Sequence, residues 1–383
     1  MSIIFNHDLV RWIGELCAAG AVLGSLYNLT AIVLILRFPR AREAARLFPS
    51  VSILRPLHGN EPGLFARLVS LSRQDYPGAI EIICGVQDEE DPAAPAVRLL
   101  QATNPAHVEL KVDAREYGSN RKVSNLINMQ PQARHDVLVV TDSDIVADPQ
   151  YVSSLVAELD APNVGAVTCA YHGIPAGGIC AHLSALSINT QFLPNVIVAV
   201  TLGAARPCFG ATIALRRETL AQIGGFHAVA DELADDFALG RAVRALGHQV
   251  AVSGFTVGHV CFERDFRSFW ARQMRAARTI QSIDPIGYLG TIFMHPLPLS
   301  VLAAATGVSG WFLLVSAAMV CRLALCSAIT RACRLTRQPH WLIPVQDAIS
   351  FAVFVASFFG TAVEWRGESY KVAADGALTQ RRR

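Results

Sequence analysis

The stretch DVLVVTDSDIVADP (Asp136–Pro149) runs four consecutive apolar residues, Val137 to Val140, into Asp142, Asp144 and Asp148. So short a run, apolar on both faces and rich in valine, reads as the central strand of a parallel sheet covered on both sides. The carboxylates then stand beyond its carboxyl end, where ligands of open α/β sheets bind. On an extended chain residues two apart point to the same side, so the Asp142 and Asp144 carboxylates are expected to converge. Converging anions repel unless a cation sits between them, and hard oxygen ligands suit Mg²⁺ or Mn²⁺. A solvated turn is the alternative, and Asp148 before Pro149 takes that reading.

Outward from this strand the pattern alternates. VSILRPL (Val51–Leu57) and IEIICGVQD (Ile80–Asp88) read as buried strands, and VELKVDA as an edge strand. EPGLFARLVSLSRQ, VRLLQAT and RKVSNLINMQ carry apolar residues at helical spacing. Alternating strands and helices imply a layered α/β domain, with Asp88 and Asp142 at strand ends.

The composition is that of a chain partly in lipid: 52% hydrophobic, 17% charged, mean hydropathy +0.35. Charge concentrates in residues 38–160 and 206–284, as in an aqueous domain. Leu16–Leu36 holds 21 uncharged residues, enough to cross a hydrocarbon core of about 30 Å. It ends in Arg37, Arg40, Arg42 and Arg46, against Arg11 alone before it. That pattern is not a cleaved signal peptide, and it places the following domain in the cytoplasm. His295–Val320 and Ala348–Val363 are further candidate spans. Three crossings return the basic tail (Arg366, Lys371, Arg381, Arg382, Arg383) to the cytoplasm, with Arg322, Arg331, Arg334 and Arg337 on a surface helix.

No Asp, Glu, Lys or Arg occurs between Asp160 and Arg206. Within that gap Ala181–Ala204 passes for a span by hydropathy. A crossing there would part Asp144 from the later acidic cluster, so the segment is expected to lie along the interface or fold back. The expected organisation is therefore a membrane helix (1–37), an aqueous domain (38–284) and a membrane region (285–383). The nine cysteines show no C-x-x-C or metal-finger spacing, and a net charge of +2 without a basic block argues against nucleic acid.

Three more clusters carry chemistry. DELADDFALGRAVRALG (Asp231–Gly247) reads as a helix with four carboxylates in its first turns, either a helix-dipole cluster or the source of a general base. Asp235 and Asp236 project about 100° apart, so one of them faces a cleft. FRSFWARQMRAARTI (Phe266–Ile280) aligns Arg272, Arg275 and Arg278 on one side of a helix and Phe266, Phe269, Trp270 and Met274 on another. Such arginines suit phosphate or an anionic lipid surface. GSNRKVSNL (Gly118–Leu126) sets Arg121 and Lys122 at a helix start, a weak anion-site signal.

In this order these features resemble the ceramide glucosyltransferase family of membrane-bound inverting glycosyltransferases, from about Val51 to Ile280. The matching pieces are RPLHGNEPG, GVQD, SNRKVSNL, TDSDI, CFGATIALRRETLAQIGGF, ADDFALG and RQMR. RPLHGNEPGLF, GVQDEEDP and NRKVSNLINM look closest to the bacterial hopanoid-associated branch. That branch is credited with moving N-acetylglucosamine from its UDP conjugate to a hopanoid polyol. The resemblance implies a GT-A-type nucleotide-sugar-binding domain, a doubly wound mixed sheet with N- and C-terminal transmembrane helices. It implies a bacterial inner-membrane protein with a cytosolic active site, a UDP-sugar donor, a membrane-lipid acceptor and Mg²⁺ or Mn²⁺.

Carried over by position, Asp88 is expected near uracil and ribose. Asp144 is the principal metal ligand, and Asp142 lies towards the ribose or the metal. Asp236 is the base and Asp235 its pair partner. Arg272 and Arg275 bind donor phosphate, and Arg55 and Lys122 join the donor-binding set. The position after Arg275 is Ala276, where the family has Trp. Trp270 does not replace it, being about 240° away on the helix. Glucose is the second choice of sugar and ceramide of acceptor. A processive polysaccharide synthase and a non-catalytic lipid-binding homologue are the competing readings.

Overall fold

The computed structural model describes residues 2–38, 47–103 and 107–360, with short strands at 362–365, 368–372 and 378–380. Arg40, Arg42, Arg46, Arg366, Arg381, Arg382 and Arg383 lie outside the described residues, and Lys371 is described by its backbone alone. The strands of the main sheet are β1 Val51–Pro56, β2 Ile80–Val86, β3 Val108–Val112, β4 Val137–Thr141, β5 Ile145–Val146, β6 Val164–Pro175, β7 Thr212–Arg216 and β8 Gln249–Cys261. The helices are α1 Ser2–Leu36, α2 Leu64–Ser72, α3 Ala94–Thr103, α4 Arg121–Met129, α5 Tyr151–Leu159, α6 Ile179–Ser187, α7 Leu193–Thr201, α8 Arg217–Gln222, α9 Asp235–Ala245, α10 Phe266–Ile283, α11 Pro285–Gly290, α12 Pro296–Ala305, α13 Trp311–Ala332 and α14 Ile343–Ser357.

The chain divides into two units. The first holds residues 39–176, 203–262 and 376–383 and is built on a sheet of order β3-β2-β1-β4-β7-β6-β8-β5. The β4 stretch is central, as its double-sided apolar run requires, and β3 is the expected edge. Strands β3, β2, β1 and β4 are parallel. β7 runs antiparallel to both β4 and β6, so the sheet is mixed.

Period-two alternation along β4 divides its side chains between two cores. Val137 and Val139 pack with Leu64, Leu68 and Leu71 of α2, Val97 of α3 and Leu155 of α5. Leu138 and Val140 pack with Val123 and Leu126 of α4 and Leu239 and Val243 of α9. Each fully buried side chain of this kind contributes about 1.5–3 kcal/mol. The covered sheet thereby fixes where α4 and α9 begin, and both begin at the carboxyl end of β4.

The second unit holds residues 1–38, 177–202 and 263–375. In it α1 packs along α12 and α13. Among the described residues, four helices are long and apolar enough to cross a membrane: Asp8–Leu36, Ile179–Thr201, Trp311–Ala332 and His340–Ser357. Pro285–Met294 and Pro296–Ala305 form a further pair bent by 68°.

The expected His295–Val320 span is interrupted. Gly307 and Gly310, at φ +78° and +74°, turn the chain between α12 and α13, a conformation that costs other residues dearly. α13 then continues through Arg322 and Arg331. Arg322 is no surface residue: its side chain is 1% exposed and paired with Asp347 of α14, also 1% exposed. The helix Ile179–Thr201 has the length of a span. However, β6 before it and β7 after it pair in one sheet, so a single crossing there is excluded.

Candidate active site at the strand ends

Strand β4 stops at Thr141, and the chain turns over Asp142–Asp144 before β5, with Ile145 N–H donating to Asp142 O at 3.3 Å. The aspartates therefore sit in a turn, and the strand alternation expected to align them does not reach them. Two buried guanidiniums hold this turn from beneath. Arg55 donates to the carbonyls of Ser143 (2.7 Å) and Ile145 (2.8 Å). Arg67 donates from Nε to Ser143 O (2.7 Å) and is paired with Glu61 at 2.8 Å, and Glu61 accepts from Ser143 Oγ at 2.5 Å. Arg55, expected at the donor, is fully buried. Its Nη groups donate to backbone carbonyls, so in this structure it positions the turn.

Lys122 is the electrostatic centre. Its Nζ lies 2.7 Å from Asp142 Oδ1 and 3.6 Å from Asp235 Oδ2. Burial alone would lower its pKa, and the charges of Asp142 and Asp235 outweigh that and raise it, so Lys122 is a fixed cation. Asn120 places it. The Asn120 side chain caps α4 by accepting from the N–H groups of Lys122 and Val123 (3.0 and 3.2 Å). It also donates to Glu232 O (2.8 Å) and Asp235 Oδ1 (3.3 Å). With its first N–H groups capped from within, this helix start is a platform for Lys122 more than an anion site.

Helix α9 begins only at Asp235, so Asp231 and Glu232 precede it; Asp231 Oδ1 accepts from Ser119 N–H at 2.8 Å. Asp236 accepts at Oδ2 from Gly210 N–H (2.7 Å) and at Oδ1 from Phe237 N–H (2.8 Å). Burial first, and Asp235 next, push its pKa up to about 6, against the opposing pull of Lys122 and the two N–H groups. Burial likewise raises Asp142, opposed by Lys122. A methyl group built on Gly210 would lie 3.1 Å from Lys122 Nζ, 3.3 Å from Asp236 Oδ2 and 3.6 Å from Asp142 Oδ2. The three groups thus gather around the bare face of Gly210. Thr168 Oγ1 fastens that loop, accepting from Phe209 N–H (2.8 Å) and donating to Thr212 O (3.0 Å).

Asp144 Oδ1 lies 3.3 Å from His259 Nδ1. The pairing of Ile145 with His259 across β5 and β8 sets this contact, and Tyr171 packs on the imidazole with centroids 5.1 Å apart. Among the described residues no three His, Cys, Asp or Glu side chains form a ready-made metal site. A Mg²⁺ or Mn²⁺ ion shared with substrate phosphates needs only one or two protein carboxylates, and Asp144 beside His259 fits that demand. Asp88 is exposed in the bend after β2, its Oδ1 accepting from Glu90 N–H at 3.0 Å.

Arg272 and Arg275 belong to the helical unit, on α10. Arg272 forms an ion pair with Glu263. Ala276 is exposed, while Phe269, Met274 and Ala277 form the buried stripe. Sequence reasoning missed Arg67, Asn120, Gly210 and His259. Arg67 left a signal: it stands on the stripe of Leu64, Leu68 and Leu71, a charge on the apolar face of a helix.

The glycosyl transferase family 21 profile matches residues 16–378. Ceramide glucosyltransferase 1 of Caenorhabditis elegans is 24% identical over 245 residues, covering 62% of this chain and 52% of that protein. Ceramide glucosyltransferase of Komagataella phaffii is 36% identical over 101 residues, 25% of this chain and 19% of that protein. The chain thus spans about half or less of the length of these curated relatives. A mannosyltransferase from Pyrobaculum calidifontis, solved with GDP-Man and Mn²⁺, superposes with a TM-score of 0.55 at 21% identity, covering 91% of this chain and 99% of that one. That likeness establishes the GT-A-type fold.

Proposed function

This chain belongs to glycosyl transferase family 21, and from that premise we propose that it transfers a sugar from a UDP-sugar to a hydroxyl of a membrane lipid, inverting the anomeric carbon. N-acetylglucosamine is favoured over glucose. The motifs around Arg55, Asp88 and Lys122 favour a hopanoid polyol as acceptor, and the names of the curated relatives favour ceramide. We place the protein in the bacterial inner membrane with its site on the cytosolic side, from Arg37 and the arginines that follow it.

The observation that carries this reading is Asp236, held by two N–H groups beside Lys122 at the carboxyl edge of the sheet. Asp236 accepts the proton of the lipid hydroxyl as that oxygen attacks the anomeric carbon from the face opposite the diphosphate. An ordinary aspartate, with a pKa of about 4, is a weak base for an alcohol. A carboxyl raised to about 6 is better matched to the cytosol, and its proton transfer is late and concerted with bond formation. Lys122 keeps Asp142 and Asp235 in place without neutralising Asp236. Asp144, with His259, would hold Mg²⁺ or Mn²⁺. Such an ion, when bound, offsets the charge that builds on the leaving diphosphate. Asp88 is assigned to uracil and ribose, Asp142 to the ribose side, and Arg272 and Arg275 to the donor phosphates.

Purified full-length protein should hydrolyse UDP-N-acetylglucosamine or UDP-glucose slowly, and transfer the sugar when ceramide or a hopanoid polyol is supplied. Asp236→Asn, folded by thermal unfolding, should retain less than a few per cent of transfer. Greater retention removes Asp236 as the base.

A further inference from the structure

The helical unit carries charge and amide groups that the reaction above does not use. Arg322 of α13 donates from Nε and Nη2 to the two carboxylate oxygens of Asp347, at 2.8 and 2.5 Å. The same guanidinium donates to Thr190 O (2.8 Å) and Thr190 Oγ1 (3.0 Å). Arg322 and Asp347 lie on helices apolar and long enough to cross a membrane, where an ionised pair is costly and marks function. Thr190 lies in a π turn, Ile188–Phe192, which interrupts the helix Ile179–Thr201. Such turns free a carbonyl from the helical ladder and gather at functional sites.

Next in sequence to each anchor stands a glutamine: Gln191 follows Thr190, and Gln346 precedes Asp347. Ser350 joins them. Gln346 Nε2 donates to Ser350 Oγ at 3.1 Å, and Ser350 Oγ donates to Gln191 Oε1 at 2.6 Å. Each glutamine thereby uses one amide atom and leaves the other. Gln191 Nε2, a donor, and Gln346 Oε1, an acceptor, are buried without a partner among the described residues. Gln346 is 1% exposed, so water from bulk is not its answer, whereas Gln191 is only half-buried.

We propose that Gln191 and Gln346, spaced by the Arg322–Asp347 pair, form a seat within the helical unit for the polar headgroup of the lipid acceptor. One unfilled donor and one unfilled acceptor, linked through a single hydroxyl, match a group that both accepts and donates: a hydroxyl, or a secondary amide. An aliphatic chain fits neither. The guanidinium fork fixes Thr190 and Asp347, and hence the separation of the two glutamines, more rigidly than a single hydrogen bond would. The seat deepens the proposed function, because it rests on that reading's lipid acceptor.

The test measures thermal unfolding of the full chain in detergent with added ceramide and, separately, with a hopanoid polyol. One of these lipids should raise the wild-type midpoint in a saturable manner, and which one does identifies the source of the headgroup. Gln346→Met and Gln191→Met, close in size and suited to helices, should each weaken that lipid at least tenfold while their midpoints without lipid stay near wild type. Equal stabilisation of wild type and both variants overturns the seat, as does the lack of any shift in wild type with either lipid. UDP-sugar hydrolysis by wild type is measured separately. If hydrolysis is missing while the lipid shift and its loss are seen, the proposed reaction falls and the seat stands.

Discussion

Gly210→Ala is the sharpest probe of the site because it adds one methyl group at the point where the charges meet. That methyl would stand 3.1 Å from Lys122 Nζ and 3.3 Å from Asp236 Oδ2. An unstrained contact needs about 3.5–4.0 Å, so each group must retreat by roughly 0.2–0.9 Å. A misplacement of about 1 Å at reacting groups costs about a hundredfold in rate. The expected loss in kcat/KM is therefore about ten- to a hundredfold, or ~1.4–2.7 kcal/mol of barrier. Gly210 has no positive φ, so alanine is compatible with the backbone and the unfolded chain loses freedom, a gain of about 0.4–1 kcal/mol. Folding should thus be kept while turnover falls. Initial rates of UDP release in lipid nanodiscs, with unfolding midpoints for the same preparations, measure both. Wild-type turnover in a folded Gly210→Ala protein would refute the convergence of Lys122, Asp236 and Asp142 on this face.

The Asp236 carboxyl is raised to about 6 and must be ionised to accept a proton, so kcat/KM should rise with pH through about 6 and level above it. At pH 5 it should be about tenfold below the plateau, and a flat profile from pH 5 to 8 removes the assignment. EDTA should abolish turnover, with Mn²⁺ or Mg²⁺ restoring it; chelator-resistant turnover counts against Asp144 as a metal ligand. Arg322→Met alone strands Asp347 and should cost about 3–5 kcal/mol, whereas Arg322→Met with Asp347→Leu should regain most of that. Chemical denaturation in detergent reads the difference, and a double variant no more stable than the single one contradicts the pairing.

The alternating elements up to β4 are legible in the sequence because each strand and helix advertises its own period, and the short valine run names the centre of the sheet. The acidic turn after it is legible in place but not in geometry, because the strand ends at Thr141 and period two no longer governs Asp142 and Asp144. His259 lies beyond any spacing rule: strand pairing brings it to Asp144 from 115 positions along the chain, a separation that no local pattern encodes. Gly210 acts through its backbone N–H and its missing side chain, which leave no trace in a side-chain pattern, whereas Asn120 acts as an N-cap before Arg121–Met129 and its reach to Asp235 depends on the fold. Hydropathy misreads α13 because it scores residues singly. Arg322 and Asp347 each look like the end of a span, and together they behave as one neutral polar unit.

The place of β7 has a consequence for how the protein is made. β7 lies between β4 and β6 in the sheet, yet it follows β6 in the chain by way of the apolar helix Ile179–Thr201. When β6 leaves the ribosome, its partner towards β4 is still unmade. At about 5–20 residues per second, the stretch from 176 to 212 takes about 2–7 s to synthesise. Throughout that interval the β3-β2-β1-β4 half waits with a bare edge at β4, and β6 has neither of its partners, since β8 is made later than β7. A delay in covering that apolar segment should therefore show as aggregation of nascent chains rather than as slow refolding of finished ones.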